Sequence, residues 1–134
     1  MEAALATELT FGVGDLRHVR RFVDELSRKA GLPRRRTDEL TVVVNELAAN
    51  SVDHGGGRGT VRGWVEPSAL VVEVHDEGGL AGSPEGRARG QEQPRVDQDR
   101  GRGLWIARQL ADELEIRGAD DGAAGTVVRV VTAR

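Results

Sequence analysis

A carboxylate and a carboxamide lie one helical turn apart near the end of a predicted helix. Glu46, Asn50 and His54 occupy positions i, i+4 and i+8, and residues four apart share one face of a helix. Asn50 offers a neutral amide oxygen, which binds Mg²⁺ without adding negative charge beside phosphate groups. Glu46 would orient a water molecule or accept a hydroxyl proton as a general base. Asp53 extends the same polar stripe, which therefore has the residue types of a divalent-cation site.

A second carboxylate lies at the end of a strand-like run. Asp76 precedes Gly78 and Gly79, and glycine allows a ligand to approach the backbone closely. The carboxylate of Asp76 would accept a hydrogen bond from the exocyclic amine of adenine. The hydroxyl of Thr126, at the start of the last predicted strand, would add a polar group to the same base pocket.

A further glycine-containing segment, residues 100–104 with the sequence RGRGL, opens an apolar helical pattern. Backbone N–H groups at the start of a helix bind phosphate together with the positive end of the helix dipole. The two guanidinium groups of the segment would help to neutralise a γ-phosphate. With the polar stripe and Asp76, this segment predicts a magnesium–nucleotide site. Its predicted phosphate-binding residues are Arg100, Gly101, Arg102 and Gly103.

Each of these residues also has a structural interpretation when it is taken alone. Asn50 suits the polar boundary of a helix, and Glu46 or Asp53 suits a solvated face. Asp76 before glycines is a common turn residue. His54 suits the end of its helix, where a basic side chain interacts favourably with the dipole. The joint occurrence of the three features, in order along the chain, is what favours a nucleotide site.

The composition indicates one folded domain. The 134 residues, 38% apolar and 31% charged with no cysteine, fit a single domain over 1–134 without disulfides. No apolar run reaches the roughly 18 residues that span a bilayer, and the first residues lack the pattern of a signal peptide. We therefore expect a cytoplasmic protein with no membrane partner. The only lysine, Lys29, precedes Ala30, which excludes a phosphate loop of the form GxxxxGK[ST].

Basic residues are concentrated in positions 17–36, where only Asp24 and Glu25 oppose them. One interpretation is a solvated helix face with a connector, and another is a docking surface for an acidic protein partner. Direct nucleic-acid binding is the least favoured, because the net charge is −3 and no DNA-reading motif is present. The basic residues are Arg17, Arg20, Arg21, Arg28, Lys29, Arg34, Arg35 and Arg36.

Capping residues and apolar spacing predict two helices in the first half of the chain. The first extends from an N-cap at Asp15 to Ala30 and is followed by a glycine suited to a left-handed end. The second has Thr37 as its N-cap and Asp38 in its first turn, where the dipole favours anions. Three glycines at 55–57 are predicted to end it.

Strands are grouped late in the sequence, which predicts an α+β fold with helices on one face of a sheet. Residues 79–102 lack apolar periodicity and are predicted to form a long irregular segment. The predicted strands are 9–13, 60–65, 70–75, 114–116 and 126–132, and a third helix is predicted at 104–112.

The chain resembles the GHKL ATPase superfamily over nearly its whole length. It is most similar to the small bacterial anti-sigma factor serine/threonine kinases and their ATP-binding relatives. Glu46, Asn50 and His54 resemble the asparagine box, and Asp76 with Gly78 resembles the first glycine box. That box departs from the usual Asp-x-Gly-x-Gly pattern, because position 80 is leucine. Residues 100–104 resemble the second glycine box, and 125–126 the motif of the last strand.

The resemblance implies a two-layer α/β sandwich whose sheet is mixed but mostly antiparallel. It implies ATP and Mg²⁺ as cofactors, Asn50 as the magnesium ligand, Glu46 as the general base and Asp76 as the residue that reads adenine. It implies an ATP lid at about 79–102. With the polar stripe and the RGRGL segment included, the remaining predicted nucleotide-binding residues are Asp53, Gly78, Arg100, Gly101, Arg102, Gly103, Leu104 and Thr126.

Kinase members of the resembling family phosphorylate a serine or threonine of an antagonist protein and also sequester a sigma factor. The resemblance therefore implies a sigma factor and an anti-sigma factor antagonist as partners, with a homodimer as a further expectation. The alternative is a non-catalytic nucleotide-sensing module that acts on a protein partner through the arginine-rich segment.

Overall fold

The computed structural model describes residues 5–54, 56–76, 99–118 and 125–134, and of His54 and residues 99–103 it describes the backbone alone. These residues form a helical layer on one face of a five-stranded sheet with the strand order β1-β2-β3-β5-β4. Every pair of neighbouring strands is antiparallel, so the α+β prediction is confirmed. The elements are β1 (Thr7–Gly12), α1 (Leu16–Ala30), α2 (Arg34–His54), β2 (Arg58–Glu66), β3 (Ala69–Asp76), α3 (Asp99–Leu110), β4 (Glu113–Gly118) and β5 (Thr126–Ala133).

The inner face of the sheet carries the apolar half of the alternating strand pattern. In β3 the alternate residues Leu70, Val72 and Val74 all belong to the core. Each buried aliphatic side chain of this kind contributes about 1.5–3 kcal/mol relative to exposure. The core side chains of the other strands are Phe11, Val61, Ile116, Val128 and Val130.

The three helices cover this face with apolar stripes at helical spacing. Helix α2 contacts both α1 and α3, so it occupies the middle of the layer. Gly63 of β2 allows α1 to approach, because a Cβ atom there would lie 2.4 Å from Cδ1 of Leu26. The buried apolar residues of the helices are Val19, Val23, Leu26, Ala30, Leu40, Val43, Val44, Leu47, Ala48, Leu104 and Ala107.

Helix α1 has the predicted bounds, although Asp15 does not cap it with its side chain. The Oδ2 atom of Asp15 instead accepts a hydrogen bond of 2.9 Å from the backbone N–H of Gly12, before the helix. At the other end Gly31 adopts φ 74°, and its N–H donates to the carbonyl of Arg28. The left-handed C-terminal residue is therefore confirmed.

Helix α2 begins four residues earlier than predicted, so the assignment of Thr37 as its N-cap was wrong. Thr37 is only 5% exposed, and its N–H donates to the carbonyl of Pro33 at 3.0 Å. The three arginines that follow Pro33 are good helix formers, and they extend the helix toward its start. Asp38 consequently lies in the second turn, where it pairs with Arg34 at 2.8 Å.

Helix α3 also begins earlier than predicted. It starts at Asp99, so residues 99–102 are helical and the predicted irregular segment cannot extend through them. The remainder of the predicted lid, 79–98, lies outside the described residues. Gly55, Gly78 and residues 119–124 also lie outside them. None of the described helices is long and apolar enough to cross a membrane.

The face of the sheet that points away from the helices carries a row of alternating charges. One residue from each strand contributes, and the strand registers place each acid beside a base. Trp64 lies beside this row, with the guanidinium groups of Arg62 and Arg129 at 5.7 and 5.6 Å from its ring centre. In order across the sheet, the row is Glu8, Arg62, Glu73, Arg129 and Glu115.

Candidate functional site

Helix α2 presents Glu46 and Asn50 at the edge of the core, as their spacing predicted. The buried side chains of Val43, Leu47 and Ser51 fix the rotation of the helix about its axis. Glu46 and Asn50 are therefore half-buried, one turn apart on the adjoining side. Two oxygen-bearing side chains of the kind that Mg²⁺ prefers thus lie on one side of a rigid element.

Asp53 lies at the end of the same helix and is exposed. Helix α2 ends at His54, in agreement with the prediction from the glycines that follow. Asp53 therefore has less contact with the core than Glu46 or Asn50, and its assignment as a nucleotide-binding residue stays a prediction.

Asp76 is brought against α2 by a hydrogen bond that the sequence did not predict. The hydroxyl of Ser51 lies 2.8 Å from Oδ2 of Asp76, although the two residues are 25 positions apart. Ser51 directly follows Asn50, and it is only 1% exposed. The end of β3 and the last turns of α2 therefore meet, and the predicted adenine-reading carboxylate lies beside the helix that carries the predicted magnesium ligand.

Thr126 lies at the same end of the sheet. The register of β3 against β5 places its Cα opposite that of Asp76, and Thr126 is 1% exposed. The antiparallel pairing of two strands separated by 50 positions thus unites the two residues predicted for the base pocket. Both residues were predicted for a base pocket, whereas their pairing across two strands has no local signal in the sequence.

Gly59 is the residue opposite Asp76 on the other neighbouring strand. A Cβ atom at Gly59 would lie 2.6 Å from the carbonyl oxygen of His75 and 2.8 Å from Cζ of Phe11. Real Cβ atoms do not approach so closely, so glycine is required for the end of β3 to lie where it does. Gly59 was not predicted to support the site, because a glycine within a strand has several possible causes.

The RGRGL segment forms the first turns of α3 rather than a loop before it. The first four backbone N–H groups of an α-helix have no partner within the helix, and Arg100, Gly101 and Arg102 fall within this stretch. Leu104 is 4% exposed and packs in the core. Its side chain therefore anchors the start of α3, whereas the roles predicted for Arg100, Gly101, Arg102 and Gly103 stay predictions.

The side chains gathered here fit a magnesium nucleotide in their chemistry. Asn50 and Glu46 supply oxygen atoms on α2, and Asp76 supplies an acceptor for an amine group at the end of β3. The hydroxyl of Ser51 contacts Asp76, and Thr126 is the residue opposite Asp76 on β5. In the part of the chain that the structure describes, no group of three or more histidine, cysteine, aspartate or glutamate side chains could hold a metal ion.

The fold and this site agree with a known protein family. A family model described as a histidine kinase-like ATPase domain matches residues 10–132. The chain belongs to this histidine kinase-like ATPase family. The membership confirms the predicted resemblance and supports a nucleotide-binding role for the chain. No curated protein has a sequence that matches it.

Solved structures resemble this histidine kinase-like ATPase domain over most of its length. A mycobacterial sensor histidine kinase, MprB, has a TM-score of 0.62 at 18% identity, with 95% of this chain and 97% of that chain covered. A chain of the SiaB–SiaC complex from Pseudomonas aeruginosa has a TM-score of 0.59 at 16% identity, with 95% and 89% covered. At these identities the likeness shows the shared fold.

Proposed function

We propose that this domain binds ATP with Mg²⁺ and phosphorylates a serine or threonine of an anti-sigma factor antagonist, while also binding a sigma factor. The observation that carries the proposal is the placement of Glu46 and Asn50 one turn apart on α2, beside a helix end that contacts Asp76. In this proposal Glu46 distinguishes a kinase from a nucleotide sensor, because it acts as a general base and not as a ligand of the metal.

In this proposal each side chain has one role. Asn50 ligates the magnesium ion through its amide oxygen, and Asp76 accepts the exocyclic amine of adenine. The N–H groups at the start of α3 hold phosphate oxygens. When bound, Mg-ATP supplies the phosphoryl group. Glu46 accepts the proton of the attacking hydroxyl, as a positioned general base.

Exposed basic residues on the helical layer support the proposal that the domain binds a protein partner. Arg28 and Arg34 both pair with Asp24, at 2.7 and 3.2 Å, whereas Arg17 and Arg21 have no ion-pair partner among the described residues. Arg17 and Arg21 lie one turn apart and suit an acidic partner surface. One of the similar structures comes from a complex of two proteins, SiaB and SiaC. We propose a cytoplasmic protein with a sigma factor and its antagonist as partners, and with a homodimer as the working form.

Phosphoryl transfer tests the catalytic role of Glu46. With labelled ATP and candidate antagonist proteins, Glu46→Ala should reduce transfer by about 100-fold or more, because a general base contributes that much. Affinity for Mg-ATP, measured by calorimetry, should stay within about twofold of wild type, since a base contacts the acceptor hydroxyl rather than the nucleotide. Glu39→Ala is the matched control, because Glu39 is a half-buried glutamate of the same helix. Equal losses of affinity and transfer in Glu46→Ala would exclude the role of base.

The same experiment separates a second function. If the wild type binds Mg-ATP tightly but transfers no phosphate to any candidate, the domain is a nucleotide-sensing module, and the exposed arginines of α1 are its partner surface. Binding itself is tested by thermal shift, where a nucleotide at a hundredfold excess over Kd should stabilise the wild type by about 2.7 kcal/mol. Asn50→Ala should lose most of this stabilisation.

A further inference from the structure

Ser51 is a buried hydroxyl with two acceptors within reach. Its Oγ atom lies 3.1 Å from the carbonyl oxygen of Leu47, one turn earlier, and 2.8 Å from Oδ2 of Asp76. A hydroxyl has a single proton, and an ionised carboxylate can only accept. The shorter contact is also the charge-assisted one, which is the stronger type of hydrogen bond. The hydroxyl of Ser51 therefore donates its hydrogen bond chiefly to Asp76.

We infer that Ser51 is a positioning residue that sets the orientation of the Asp76 carboxylate for the recognition of adenine. This inference rests on the proposed nucleotide site. Ser51 adjoins Asn50 on α2, and Asp76 ends β3, so the hydrogen bond between them links the two halves of the site. A carboxylate offers about four acceptor positions, so the bond to Ser51 orients it without exhausting its capacity to accept.

The orientation of this carboxylate has a consequence for base selectivity. Adenine presents an amine at the position where guanine presents a carbonyl oxygen. A fixed carboxylate accepts from the amine and repels the carbonyl, whereas a carboxylate that rotates away discriminates less. Ser51 therefore acts on selectivity through Asp76, and it acts at the base end rather than the phosphate end of the nucleotide.

Ser51→Ala tests the inference, because alanine is a good helix former and removes only the hydroxyl. We expect the affinity for ATP and for ADP to fall equally, by roughly tenfold, which is what a bond to a charged group is worth. The ratio of ATP to GTP affinity should fall with them. Calorimetric titration of the full chain with ATP, ADP and GTP measures all three.

Ser27→Ala is the matched control. Ser27 is a fully buried serine of the neighbouring helix α1, and its Oγ atom has no hydrogen-bond partner among the described residues. It should leave all three affinities unchanged. Ser51→Cys, which keeps a weak donor, should be intermediate.

The outcomes separate this inference from the proposed function. If the wild type binds ATP and Ser51→Ala keeps both its affinity and its ATP-to-GTP ratio, the positioning role is overturned while the nucleotide site stands. A lower melting temperature with an unchanged ratio shows a purely structural role and also overturns it. If the wild type binds no nucleotide, the proposed function fails, and the role in recognising adenine fails with it.

Discussion

At the scale of single residues, Glu73 shows how a carboxylate is kept on the sheet face that points away from the helices. Its side chain is almost fully buried and receives bonds from Arg129 at 2.6 Å and from His75 at 3.1 Å, with Arg117 at 3.8 Å. Burial by itself would raise the pKa of Glu73, but the hydrogen bonds from Arg129 and His75 outweigh it and hold the pKa below its usual value. Ionised Glu73 therefore stabilises the folded state.

This lowered pKa predicts a pH dependence of stability. The stabilisation is complete above the unfolded pKa of about 4.3, and it is lost as the pH falls through the lower folded value. Glu73→Gln should lower the free energy of unfolding at pH 7 by about 2 kcal/mol. It should also reduce the further loss on acidification to pH 3, as followed by thermal denaturation.

The matched control for Glu73→Gln is Glu115→Gln, because Glu115 lies on the other side of Arg129 in the same row but is exposed. It should change the stability at pH 7 by only a few tenths of a kcal/mol. If the free energy of unfolding of Glu73→Gln fell as steeply on acidification as that of the wild type, the lowered pKa of Glu73 would not be the cause.

The sequence predicted the candidate site residues better than their relations to one another. Glu46 and Asn50 follow from helical spacing, which is local and needs no tertiary information. The bond from Ser51 to Asp76 depends on the packing of a helix against a strand, and no local pattern encodes that distance. A buried hydroxyl such as that of Ser51 needs a partner, but the sequence does not say which residue supplies it.

At the scale of elements, β2 carries two glycines that allow close packing on different neighbours. At Gly63 the obstacle to a side chain is the terminal methyl group of Leu26, which can rotate. At Gly59 it is the backbone carbonyl of His75, which cannot move without shifting β3. Gly63 should therefore tolerate a side chain better than Gly59, although both lie in β2.

Alanine substitution of these glycines should separate the two cases. Gly59→Ala should lower the free energy of unfolding by about 3 kcal/mol, and Gly63→Ala by about 1 kcal/mol, because overpacking costs more where the backbone must move. Urea denaturation measures both. The affinity for ATP should fall in Gly59→Ala, because Gly59 lies opposite Asp76. Equal destabilisation by the two changes would contradict this account.

Element boundaries were harder to predict than element faces. The buried residues of α2, such as Val43, Leu47 and Ser51, recur at a helical period that the sequence itself shows. The start of α2 was assigned to Thr37, because threonine is a common N-cap. The arginines that follow Pro33 extended the helix instead, and Thr37 became a buried residue within it.

At the scale of the whole molecule, Arg134 ties the two layers together at the end of the sheet remote from Asp76. Its Nε donates to the carbonyl of Ala30 at 2.8 Å, which satisfies a free carbonyl at the end of α1. Its Nη1 donates to the carbonyl of Glu66 at 3.1 Å, at the turn between β2 and β3. One guanidinium group therefore joins a helix end to a strand turn.

The contribution of these Arg134 hydrogen bonds to the free energy of unfolding should be measurable. Arg134→Ala should lower the free energy of unfolding by about 1 kcal/mol, because each net hydrogen bond is modest and the group is partly solvated. Arg21→Ala is the control, since Arg21 is exposed and has no partner among the described residues. Thermal denaturation at neutral pH compares them, and equal melting temperatures for the two variants would contradict the role of Arg134.

The strand order β1-β2-β3-β5-β4 has a consequence for the time at which the site forms during synthesis. β5 is the last described strand in the sequence, yet it lies inside the sheet between β3 and β4. While the ribosome has released only the residues through β3, Asp76 has no partner strand on its outer side. The predicted base pocket is completed only when Thr126 emerges and pairs with Asp76. On the proposed function, a nascent chain therefore acquires both residues of this pocket only after β5 has been synthesised.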